Sequence, residues 1–94
     1  MYPVAALRAP ISMAADAISW IQESVAQVPL QRHVARVGSV EVGAVEYDGA
    51  NGMWVWSTPL DERAWGWAPE EGGAKQALEL WLRGWLENFR RFFT

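Results

Sequence analysis

Cysteine is absent from the 94-residue chain, so disulfides, iron–sulfur clusters, thiolate zinc sites and cysteine nucleophiles are all excluded. Histidine occurs once, at His33, too few for a metal centre built on imidazoles, and the carboxylates are scattered. No metal or other cofactor is implied. Lysine also occurs once, at Lys75, and Gly72-Gly73 lacks the lysine-bearing pattern of a phosphate-binding loop. Ser39 and Ser57 sit in no nucleophile elbow, so the expectation is a protein that is not an enzyme. No uninterrupted apolar run reaches the roughly 18 residues of a membrane helix. Met1–Arg8 has no basic stretch ahead of an apolar one, which points to the cytoplasm.

What is abundant is large apolar side chains. Seven Trp, three Phe and two Tyr stand in a chain that is 51% hydrophobic, far from a disordered composition. The length is that of one domain, 1–94, which must bury its surface efficiently to be stable. The net charge is −3, unevenly spread. Residues 1–40 are net +1 and residues 73–94 net +2. Residues 41–72, with Glu41, Glu46, Asp48, Asp61, Glu62, Glu70 and Glu71 against Arg63 alone, are net −6. An acidic middle repels phosphate backbones and suits a basic protein partner.

Pro3 and Pro10 make 1–10 an extended lead-in. Ala14, Ile18, Ile21, Val25 and Val28 recur at helical spacing behind Ser12, a suitable N-cap, and Pro29 would end the run; this predicts a helix over 12–28. From 32 to 68 the pattern is that of a β-meander. His33–Val37 and Val40–Tyr47 are Val-rich, with Gly38-Ser39 as a two-residue turn. Val40 and Val42 are out of phase with Val45 and Tyr47, which a bulge at Gly43-Ala44 would correct; one long bent strand over 32–47 is the alternative. Asp48–Gly52 is dense in turn chemistry. Met53–Thr58 alternates, with Trp54 and Trp56 on one face, and Ala64–Ala68 places Trp65 and Trp67 on one face with only Ala or Gly on the other. A last amphipathic helix is expected over 74–93, its apolar face built on Ala74, Leu78, Trp81, Trp85, Phe89 and Phe92. Its polar face is laced by Lys75/Glu79, Glu79/Arg83, Arg83/Glu87 and Glu87/Arg91.

The fold class expected is therefore α+β: an N-terminal helix, an antiparallel sheet of three or four strands, and a long C-terminal helix on one sheet face, with Leu78, Trp81, Trp85 and Phe89 buried. The other face would be covered by the first helix or by a second copy. Most indoles belong in the core, but so many are hard to hide in so short a chain, and an exposed pair would mark a partner surface. The candidate partner-binding residues are Trp65, Trp67, Asp61, Glu62, Glu70 and Glu71, aromatic anchors with a carboxylate rim. The partner expected is a protein with a basic surface. A homodimer is the alternative. Single-strand nucleic-acid binding through stacked Trp is disfavoured, since it requires Arg32, Arg36, Arg83, Arg90 and Arg91 to converge.

Val37–Gly43, Trp54-Val-Trp56, Gly66-Trp-Ala68 and Ala74–Leu86 together resemble, over about 34–90, small phage and prophage proteins that pair a Trp-containing meander with a terminal helix. The resemblance carries no active site. Small acidic phage proteins include inhibitors of host defence complexes, anti-CRISPR proteins among them, and the analogy implies a non-catalytic inhibitor acting by occlusion.

Overall fold

A computed structural model describes residues 17–90. The fold is α+β: five antiparallel strands in the order β1-β2-β3-β4-β5, followed by one helix. The strands are β1 Ile18–Val25, β2 Val28–Val37, β3 Val40–Asp48, β4 Met53–Ser57 and β5 Trp65–Ala68; the helix, α1, is Glu71–Arg90.

The helix expected over 12–28 is overturned where it can be compared: Ile18–Val25 is β1 and Val28 opens β2. Residues 12–16, the lead-in 1–10 and the end of the last helix past Arg90 lie outside the described residues. The physical reason is twofold. Ile18, Ile21, Val25 and Val28 are β-branched, which stiffens χ1 and suits a strand. The chain also reverses at Ala26-Gln27, whose φ values of 50° and 69° are both left-handed, the pattern of a type I′ turn, bringing Val25 opposite Val28. Pro29 stands in β2 opposite Ser24, on the stretch that β3, whose pairing begins at Arg32, does not reach.

Gly38-Ser39 forms the expected two-residue turn, with Val37 opposite Val40, so 32–47 is two strands and not one. The bulge falls one residue earlier than expected: the register slips where Ala35 pairs with Gly43 but Arg36 with Glu41, leaving Val42 as the extra residue. Its effect is the expected one. Val40, Val42, Val45 and Tyr47 share the face that α1 covers.

Along β4 and β5, Trp54 lies opposite Ala68 and Trp56 opposite Gly66, so these two indoles face α1. The 53–58 strand stops at Ser57; Thr58 is buried, its hydroxyl donating to the Val42 carbonyl at 2.7 Å and accepting from the Leu60 N–H at 3.1 Å.

The core is thin and built on close approach. Leu78 and Leu82 of α1 meet Ala35 and Val42, and Ala74 meets Val45 and Ala68, with Ile18, Trp20, Trp54, Trp56 and Trp81 packed around them. Gly43 sits directly under Leu78: a Cβ there would lie 2.9 Å from Leu78 Cδ1 and 2.9 Å from the Ser57 carbonyl oxygen. The missing side chain lets helix and sheet touch.

Helix α1 begins at Glu71, three residues before the expected start. Leu78 is fully buried as expected, but Trp81 and Trp85 are half-buried and Phe89 is 38% exposed. No residue past Leu82 in the described part of α1 is buried, and the aromatic row packs on itself, Trp81 stacked with Trp85 at 6.3 Å and Trp85 edge-on to Phe89 at 4.7 Å. Among the described residues the expected i, i+4 pairs Lys75/Glu79, Glu79/Arg83 and Arg83/Glu87 give way to other partners, while Glu87/Arg91 lies outside the described residues. Glu71 binds Lys75 at 2.7 Å, Arg90 binds Glu87 at 3.2 Å, and Glu79 accepts from the Trp20 indole.

Candidate protein-binding surface

Strand alternation sorts the side chains onto two faces. One is covered by α1, which packs on β3, β4 and β5. No described element covers the other. On that open face lie Ile21, Val34, Ala44, Ser57 and Trp65, in register across all five strands, and beside them Arg32, Glu46, Val55 and Trp67. The expectation that the first helix would cover this face falls with that helix.

The open face has two halves. Over β1, β2 and β3 it is charged: Arg32 reaches Glu23 at 2.8 Å and Glu46 at 3.6 Å, and Arg36 stands opposite Glu41. These ions flank Val34, which is 2% exposed despite lying on the open side. Over β4 and β5 the face is mainly apolar, formed by Val55, Trp65 and Trp67, with half-buried Met53 next to Val55 along β4 and Ser57 opposite Trp65 as its one polar side chain.

Trp65 is 52% exposed and Trp67 46%, their rings 5.9 Å apart at 77° in an edge-to-face pair. The i, i+2 spacing on β5 points both the same way, and Gly66 and Ala68 occupy the opposite side, where Trp56 and Trp54 close over them. The indole ring of Trp56 takes the space a Gly66 side chain would need, its Nε1 lying 2.7 Å from where that Cβ would be. One strand thus divides four indoles: Trp54 and Trp56 go into the helix side, Trp65 and Trp67 to the open side. β5 is also an outer strand of the sheet, so one of its backbone edges is unpaired by any described strand.

The carboxylates expected to form a rim separate into two groups. Glu62 precedes β5 and Glu70 follows it; both are exposed and neither has an ion-pair partner among the described residues. Asp61 is half-buried and spent on its own turn, its carboxylate accepting from the Arg63 N–H at 3.0 Å and lying 3.7 Å from Arg63 Nε. Glu71 is on the helix side, bound to Lys75 and 3.4 Å from His33 Nε2. The Lys75 hydrogen bond is the main cause holding the Glu71 carboxyl below its ordinary value near 4.5; partial burial opposes it, and the charges of Lys75 and His33 add to it.

His33 faces α1, tilted against Trp54 at 6.1 Å, while Ser57 lies on the open face, so the two are on opposite sides of the sheet. Among the described residues no group of three or more His, Asp or Glu side chains is placed to hold a metal ion, and no helix is long and apolar enough to cross a membrane. The basic residues named for a nucleic-acid groove do not gather. Arg32 and Arg36 are on the open face, Arg32 held by Glu23 and Glu46; Arg83 and Arg90 are on α1, Arg90 held by Glu87; Arg91 lies outside the described residues. Comparison with family models, curated proteins and solved structures finds no match.

Proposed function

We propose that this chain is a non-catalytic protein-binding domain that docks a partner against β5, with Trp65 and Trp67 as anchors. The observation that carries this reading is that pair of half-exposed indoles, side by side on an outer strand and on the side of the sheet that α1 leaves bare. Indoles are expensive to keep wet and supply large, rigid contact area, which is why Trp is enriched among the residues that dominate interfaces. The edge of β5 that no described strand pairs offers main-chain hydrogen bonds next to them.

Glu62 and Glu70 give the partner its sign. Two exposed carboxylates bracketing β5, with no ion-pair partner among the described residues, favour a basic protein surface and accelerate its approach at low salt. Bound there, the domain would occlude that basic surface. This is the action of an inhibitor, in keeping with the phage-protein resemblance. Asp61 and Glu71 contribute no direct contact, being held by Arg63 and Lys75.

The test is capture from a bacterial lysate by the immobilised chain beside two variants, W65A/W67A and E62K/E70K. A protein retained by the native chain should be lost by W65A/W67A, and its association with E62K/E70K should slow at low salt. Retention of the same proteins by W65A/W67A would overturn the proposal.

A further inference from the structure

On the helix side of the sheet, away from Trp65 and Trp67, a groove of about 490 Å³ runs between the start of β1 and the second half of α1. Ile18, Val40 and Val42 form its floor with Leu82 and Trp85 above, and every described side chain lining it is hydrophobic. Apart from the Trp85 indole N–H, the described residues that line it offer no side-chain donor or acceptor to orient a polar ligand, so apolar shape dominates the recognition of its occupant.

Ala17 is itself part of the groove wall. Residues 1–16 are apolar to an unusual degree for a terminal stretch: Arg8 and Asp16 are the only charges, against Tyr2, Val4, Leu7, Ile11 and Met13. We propose that this segment is the occupant of the groove, its large apolar side chains completing the layer that α1 leaves open beyond Leu82. Tethering decides between this occupant and others. A segment attached at the wall is present at an effective concentration on the order of millimolar, which a second copy or a free apolar molecule must outcompete. The proposal is independent of the partner-binding reading, because it concerns the opposite face.

The absence of native cysteine makes the test clean. Ser39 is exposed in the turn joining Val37 and Val40, two residues of the groove wall, so Ser39→Cys in the full chain takes a single spin label at its mouth. Amide signals of residues 1–16 should lose intensity, those of Ala26 and Gln27 at the distant hairpin tip should keep it, and Leu7→Asp with Ile11→Asp should restore the lost signals. The same two substitutions should shift the resonances of Val40, Leu82 and Trp85. Absence of any shift at those three residues overturns the proposal. So does signal loss in a mixture of isotope-labelled, spin-free chains with spin-labelled ones, which would assign the groove to a second copy.

Discussion

The Trp20 indole N–H donates to the Glu79 carboxylate at 2.8 Å, joining the first described strand to the last helix across 59 residues, and the Lys75 ammonium stands 5.1 Å from the centre of the same ring. β1 is an outer strand, paired only with β2, and Trp20 reaches α1 over the small residues Ala35 and Gly43. Glu79→Ala removes a partly buried hydrogen bond to a charged acceptor and is expected to cost about 1 kcal/mol. Amides of β1 should lose hydrogen-exchange protection ahead of those in β3. An unchanged unfolding free energy together with unchanged β1 exchange would contradict the contact.

Ala26 and Gln27 hold left-handed backbone conformations that L-residues with a Cβ resist, at roughly 1–2 kcal/mol each. Replacing them with Asn-Gly, the pair a type I′ turn favours, should raise the urea midpoint by an amount equivalent to about 1–2 kcal/mol with the slope unchanged. A lower midpoint would mean that the reversal is made elsewhere.

Gly43→Ala should destabilise by about 1–3 kcal/mol, since a methyl group there meets the Leu78 side chain and the Ser57 carbonyl. Combining it with Leu78→Ala should cost less than the two single changes added, because the cavity left by Leu78 accommodates the new methyl. Strict additivity in the double-mutant cycle would separate the two sites.

Glu71 gives the acid limb of stability a defined sign. Its carboxyl is lowered from about 4.5 in the folded chain, chiefly by the Lys75 hydrogen bond, so its contribution is present above the ordinary value and is lost as pH falls through the lowered one. The side chain is 39% exposed, and solvent screening keeps that contribution small. Lys75→Met should raise the Glu71 titration midpoint, followed by NMR of the carboxyl carbon, and flatten the loss of stability below pH 4.5. A midpoint unmoved by the substitution would remove Lys75 as the cause.

Most of the architecture from Gly38 onward was legible because its signals are local. Gly38-Ser39 is a turn by chemistry, the Val40/Val45 phase fault required a bulge, and the alternation keeps Trp54 with Trp56 and Trp65 with Trp67, while the β4–β5 register decides that the two pairs take opposite faces. The β1–β2 hairpin was not legible. Ala26-Gln27 carries no turn preference, so nothing local broke the run, and the 18, 21, 25, 28 spacing imitates a helix stripe. Only pairing with β2, a tertiary fact, decides it. The exposed indole pair was readable from its strand. The fate of the carboxylates was not, since Asp61 and Glu71 were claimed by Arg63, Lys75 and His33 through geometry that sequence order does not contain.

The unfolding free energy of W65A/W67A asks most directly whether these two indoles serve the fold or a partner. Side chains standing half in water on a face that no described element covers should cost no more than about 2 kcal/mol together, their mutual edge-to-face contact included. Trp56→Ala, made where the indole packs into both core clusters, should cost about 3–5 kcal/mol on its own. A loss of that size for each of Trp65 and Trp67 would place them in the core and leave the domain without its anchors.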